Sequence, residues 1–245
     1  QAWCKINKDY GNLPLNQLLK PAVEFAENGY IVADVIADMW QREKSKLEKD
    51  KDCRELFLKG DQPYSSGEIH YQENLAKTLK EICKFGSEGF YNGWVAEDMV
   101  NKLNALGGSH TLNEFNNINV EYVDPIFSSY RGYDIYECPP NGQGIVALMI
   151  LNILQEFDLR SFDPDSFERV HLEAEASKLA FYHRNKYLGD PRFSDIPLKK
   201  LLSKKYAKEL SEMISFKETI KNLKILPLNN NKDTVYISVV DKERN

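Results

Sequence analysis

The chain has 245 residues, 42% hydrophobic, 28% charged and 11% aromatic, proportions that exclude collagen-like and wholly disordered architectures. Its 32 lysines and arginines against 37 aspartates and glutamates give a formal charge of -5. Proteins that grip nucleic acid by neutralising phosphates are normally basic, so no nucleic-acid partner is expected.

The first half reads as helical. Pro14 to Gly29 suggests two short helices, with Pro21 opening the second and Asn28-Gly29 closing it. Ile31 to about Glu48 carries Val32, Val35, Ile36, Met39 and Trp40 at helical spacing. Charges of both signs from Arg42 to Glu55 fit a solvated helix face. Gln72 to Phe85 is amphipathic and ends at Gly86, and a further helix is expected from about Gly89 to Leu106, before Gly107-Gly108. Thr111 and Glu114 have the spacing of a capping box.

The period then changes. Val120–Val123 and Gly132–Glu137 read as two strands, and Pro139-Pro140-Asn141-Gly142 as a turn. The longest apolar run, Gly144 to Leu154, is shorter than the roughly 18 residues that cross a bilayer. It predicts a buried helix from about Gln143 to Phe157, and no membrane span. Asp163-Pro164 is expected to cap a long helix that runs to about Leu188. Short helices with a basic exposed face follow to about Lys224, then a polar loop from Asn229 to Asp233 and the β-prone run Thr234 to Val240.

Most chemical motifs fail on spacing. Cys4, Cys53, Cys83 and Cys138 form no C-x-x-C pair, and His70, His110, His171 and His183 follow no ligand pattern. Free thiols are expected, and neither a metal nor a cofactor. Gly142-x-Gly144-x-x-Ala147 mimics a dinucleotide fingerprint, but a helix where the second strand should come argues against it. Asp158, Asp163, Asp165, Glu168, Glu173 and Glu175 make an acidic neighbourhood. Capping and a solvated helix face explain it at least as well as paired catalytic carboxylates. Glu173 and Glu175, two apart, do not share a helix face. His171 and His183 fit packing or surface roles better than a relay. There is no G-x-S-x-G elbow. Thr234, where the polar loop meets the β-prone run, is by composition alone only the start of a strand.

Several segments together resemble the gamma-glutamyltransferase (gamma-glutamyltranspeptidase) family of N-terminal-nucleophile hydrolases. They are Tyr10–Leu15 with Leu19–Val23, Gly89–Gly93, Gly107-Gly108 with Thr111, and Tyr130–Tyr136. Pro139–Gly144 leading to Asn152–Leu154, Glu173–Ala176 with Tyr187–Pro191, and Thr234 with Ser238–Asp241 complete the set in the family's order.

The resemblance implies an α+β fold, part of a four-layer αββα sandwich that is helix-rich in this segment. It also implies a precursor that cuts its own Asp233–Thr234 bond. Residues 1–233 would belong to the large subunit and 234–245 to the start of the small one. Thr234 would then be the nucleophile, with its freed α-amine as base, acting on glutathione or another γ-glutamyl amide. The acceptor would be water, an amino acid or a peptide. The family's usual Thr-Thr-His start reads Thr234-Val235-Tyr236 here. Its substrate-binding residues are expected outside these 245 residues, so this segment alone is expected to be inactive. The family is often extracytoplasmic. Within the same fold, an acylase or a poly-γ-glutamate depolymerase is the near alternative. A non-catalytic helical domain, binding a partner through its terminal strand, is the distant one.

Overall fold

Asn28-Gly29 does stop a helix, but one helix and not two. In the computed structural model, which describes residues 1–221, 223 and 239–243, α1 (Ala2–Tyr10) leads to α2 (Leu15–Asn28), and Pro21 lies inside α2. Gly29 then takes a φ of +80°, where a Cβ would also strike Ile69 and Tyr71. β1 (Tyr30–Ile31) interrupts the helical run expected from Ile31. The helical pattern resumes only in α3 (Asp34–Arg42), α4 (Lys44–Leu47) and α5 (Lys51–Phe57). Two small hairpin pieces follow, β2 (Leu58–Lys59) with β3 (Gln62–Pro63), and β4 (Ile69–His70), which pairs back onto β1.

α6 (Glu73–Phe85) ends at Gly86, φ +64°, as the sequence predicts. Its buried Ala76 and Leu79 pack with Ala26 of α2. The expected single helix from Gly89 is split into α7 (Glu88–Tyr91) and α8 (Gly93–Ala105). The break lies at Gly93, whose φ of +67° no L side chain adopts easily. Gly89 is needed for a different reason: a Cβ there would sit 2.4 Å from the Glu81 carbonyl oxygen, so α7 meets the end of α6 backbone to backbone. α9 (Leu112–Asn116) begins with the Thr111–Glu114 capping box, both reciprocal bonds formed.

The chain divides into two units, Gln1–Glu121 and Tyr122–Asn245, where the sequence offers no linker. Val120–Val123, at the boundary of the two units, is not a strand. The hairpin instead joins β5 (Ile126–Tyr130), which the sequence pattern did not mark, to β6 (Tyr133–Glu137). Arg131 (φ 50°) and Gly132 (φ 91°) make the two-residue left-handed turn that matches strand twist. α10 (Gly144–Leu154) is apolar all round and buries Ile145, Val146, Leu148, Met149, Ile153 and Leu154. α11 (Phe167–Tyr187) starts later than expected: Ser166, not Asp163, caps it by accepting the Arg169 N–H. Leu172, Ala176, Leu179 and Ala180 of α11 complete the core against α10. α12 (Leu198–Leu201) and α13 (Lys204–Ser211) close the unit, adding Leu201 and Leu210. No helix of the described residues is long and apolar enough to cross a membrane.

Candidate functional site

Asp233 and Thr234 lie outside the described residues, as does the run from Thr234 to Ser238. The second unit does place the elements that precede them.

The turn between β6 and α10 is built around backbone proximity. A Cβ on Gly144 would meet the Glu137 Cβ at 2.6 Å and the Cys138 carbonyl oxygen at 3.0 Å. Only glycine lets α10 start against the end of β6. The Gly142 N–H donates to the Pro139 carbonyl at 3.2 Å, and Gln143 Oε1 accepts from Arg184 of α11 at 2.9 Å. α10 then leads through a short 3₁₀ turn (Leu159–Ser161) into α11, and every sheet among the described residues is antiparallel. The βαβ geometry that a dinucleotide fingerprint needs is therefore not formed by this Gly-rich turn.

Behind the turn, Asn152 is fully buried in α10 and joins three elements. Its Oδ1 accepts from Ser128 of β5 (2.5 Å) and from Lys204 Nζ at the start of α13 (2.6 Å), while its Nδ2 donates to the Leu202 carbonyl at 3.3 Å. An ammonium can only donate and a carbonyl only accept, so these neighbours fix the amide's orientation. Lys204 also reaches Gln155 Oε1 at 3.1 Å, and burial lowers its pKa, with Glu156 opposing.

α11 sorts the acidic neighbourhood into separate roles. Glu173 pairs with Arg169 one turn earlier. Asp163 receives the Asp165 N–H in the preceding turn, and Asp158 faces Arg160 at 3.7 Å. Glu175 departs from the expected solvated face: it is 1% exposed. Burial pushes its carboxyl up, but the Lys178 ammonium at 2.7 Å, the Ile220 N–H at 2.8 Å and the charges of Lys178 and His171 outweigh it, so its pKa falls below the ordinary 4.5. Asp158, Asp163, Glu173 and Glu175 thus meet different partners, in turn and ion-pair roles.

His70, His171 and His183 are buried, and His110 is exposed. His183 is buried, with Nδ1 2.7 Å from the Leu179 carbonyl and Nε2 2.7 Å from the Tyr206 hydroxyl. The carbonyl requires Nδ1 to donate, so in the neutral ring Nε2 accepts from Tyr206. Burial is the main force lowering its pKa. In the first unit, buried His70 stands among Trp40, Tyr64, Phe57 and Tyr30, with ring centroids 4.9 to 5.9 Å away. The four cysteines are free. Cys138 is exposed, and burial raises the thiol pKa of Cys53 and Cys83, which disfavours their thiolates. Among the described residues, no group of three or more His, Cys, Asp or Glu side chains is placed to hold a metal ion. A cavity of about 450 Å³ in the first unit is mainly apolar, with Trp3, Ile82, Phe90 and Ile118 in its wall. The polar groups that sequence patterning missed are Lys178 and Lys204. Lys178 also meets the Ile220 carbonyl and Lys204 meets Asn152 Oδ1, acceptors 42 and 52 residues away in the chain.

Residues 1–245 match the family model described as gamma-glutamyltranspeptidase. The chain belongs to that family. A curated relative, the glutathione hydrolase-like YwrD proenzyme of Bacillus subtilis, is 35% identical across 100% of this chain and 46% of its own length. This chain thus spans about half of that relative. The crystal structure of Helicobacter pylori gamma-glutamyltranspeptidase superposes with a TM-score of 0.81 at 32% identity, over 94% of this chain and 68% of that one. Cephalosporin acylase from Bacillus halodurans superposes at 0.78 with 34% identity, over 87% of this chain and 41% of that one. The fold is accordingly the helix-rich part of the N-terminal-nucleophile hydrolase sandwich, as the sequence resemblance implies.

Proposed function

We propose that the protein containing this chain transfers or hydrolyses γ-glutamyl groups through Thr234, after cutting itself at Asp233–Thr234. One observation carries the reading: the family match is continuous over residues 1–245, on both sides of that bond. A relative that carries the word proenzyme in its name supports a cleaved precursor. Residues 1–233 form the end of the large subunit on this reading, and residues 234–245 begin the small subunit, its partner from the same precursor.

The chemistry accounts for a threonine at that position. In the precursor, the Thr234 Oγ attacks the Asp233 carbonyl carbon. The C–N bond breaks, the nitrogen takes up a proton as an α-amine, and Asp233 is left as an ester on Oγ. Water hydrolyses the ester, which gives an Asp233 carboxylate and restores the hydroxyl. A hydroxyl is a weak nucleophile at its own pKa, but the freed α-amine, pKa about 8, is a base held on the same residue. In the mature enzyme it takes the hydroxyl proton as Oγ attacks the γ-glutamyl carbonyl carbon, and a proton passes to the departing amine. The glutamyl ester then goes to water, or to an amino acid or peptide. Glutathione is the proposed donor, and no cofactor is called for.

The test uses the full-length precursor. Thr234→Ala should run as one band on a denaturing gel and release no p-nitroaniline from γ-glutamyl-p-nitroanilide, while the unaltered protein gives two bands and turnover. A Thr234→Ala protein that still splits at that bond refutes the mechanism. The similarity to a cephalosporin acylase favours a second reading, in which the same nucleophile removes an acyl side chain from a β-lactam. Comparing turnover of a γ-glutamyl anilide with that of a glutaryl-substituted cephalosporin separates the two.

A further inference from the structure

Four oxygens of the second unit converge on one point, the Lys204 ammonium. Nζ lies 2.6 Å from Asn152 Oδ1, 3.1 Å from Gln155 Oε1 and 3.4 Å from Ser128 Oγ, and it also donates to the Ser129 carbonyl. The oxygens come from β5 and from α10 with its C-cap residue. The floor of this cup is inside the protein: Asn152 is fully buried and Ser128 is 7% exposed. Lys204 is otherwise exposed, so its stem runs from solvent into the cup. The usual order for a lysine, stem covered and charge in water, is reversed.

All four oxygens are neutral. Glu156, the carboxylate that acts on Lys204, does so through its field and not by a hydrogen bond. Burial works against the charge and lowers the lysine's pKa, so an ammonium at this place needs a reason. Lone pairs aimed at one point repel one another unless a donor or a cation stands between them. An ammonium has three N–H groups and cannot serve four acceptors at once by directed bonds, whereas a spherical ion has no such limit. Magnesium and calcium take oxygens at about 2.0–2.1 and 2.3–2.6 Å and favour carboxylates. A cup of wider, neutral oxygens suits a singly charged ion, as do the carbonyl oxygens that replace potassium's hydration shell in channels.

We propose that this cup is a monovalent-cation site for ions of potassium or ammonium size, and that Lys204 fills it as a tethered ammonium. With the tether in place, the protein carries its own cation and needs none from solution. With the tether gone, the opening left by the stem admits K+ or NH4+ to the same four oxygens. The proposal is independent of the reading of Thr234.

The experiment compares the thermal midpoints of the unaltered full-length protein and Lys204→Ala in potassium, ammonium, sodium and tetramethylammonium chloride at equal ionic strength. In tetramethylammonium, which is too large for the cup, Lys204→Ala should unfold about 4 °C or more below the unaltered protein. Potassium and ammonium should close at least half of that gap and saturate with concentration, as ligand binding does, and sodium should close less of it. Lys204→Met, whose apolar stem plugs the cup without a charge, should show a similar gap in every salt. No gap for Lys204→Ala in tetramethylammonium overturns the proposal, because the four oxygens then need no cation. A gap that potassium and ammonium leave unchanged overturns it as well. So does equal recovery in all four salts, which is screening, or recovery of Lys204→Met. A Lys204→Ala protein that fails to fold even in potassium chloride also overturns it, since the ion should replace the ammonium.

Discussion

Replacing Asn152 with leucine removes the amide that joins β5, α10 and α13 while keeping the same branched heavy-atom shape. The buried Ser128 hydroxyl loses its acceptor at 2.5 Å, and the Leu202 carbonyl loses its donor at 3.3 Å. Lys204 loses one acceptor of several and keeps Gln155 at 3.1 Å. Leaving a buried polar group unsatisfied costs about 1–3 kcal/mol. Two such groups, one of them only half-buried, bring the expected loss to about 2–4 kcal/mol. Leucine's extra apolar contact offsets little of this, because the surrounding groups are polar. Urea unfolding of the precursor should show a lower midpoint with an unchanged slope, since the surface exposed on unfolding is the same. A loss below about 1 kcal/mol would refute the argument that this amide is an obligatory connection.

Other outcomes follow from the same geometry. Gly144→Ala should destabilise by about 1–3 kcal/mol in the same assay, because its Cβ would press on the Glu137 Cβ and the Cys138 carbonyl. Leu179→Ala, at a fully buried α11 position, should cost about 2–5 kcal/mol by the same measure. His183 has a folded pKa below its ordinary 6.5, so the unfolded chain takes up its proton first. Its contribution is complete above pH 6.5 and is lost as pH falls through the lower folded value. His183→Phe should therefore flatten the stability profile on the acidic side of 6.5, as denaturant midpoints across pH would record.

The parts of the fold that were legible in the sequence are those governed by local chemistry. The Thr111 cap, the Gly86 stop, the strand before Glu137 and the apolar helix after Gly144 each follow from a few neighbouring residues. Where the reading failed, partners decided. Val120–Val123 has β-prone residues but forms no strand, whereas Ile126–Tyr130, with two serines, is a strand because β6 folds back on it. Pro21 looked like a helix start, but α2 runs through it, its buried face packed on α6. Gly93 ended a helix where composition suggested continuation, since positive φ leaves no trace in periodicity. Glu175 looked solvated because the pattern could not show that Ile220, 45 residues later, would cover it. The proposed nucleophile, Thr234, is suggested by resemblance alone, since one threonine before a β-prone run has no local signature.

The central claim concerns one peptide bond. Intact-mass analysis and amino-terminal sequencing of the purified mature parent should find a second polypeptide that begins Thr234-Val235-Tyr236, with the other ending at Asp233. A single uncut chain, or a new terminus at any other residue, would contradict the account.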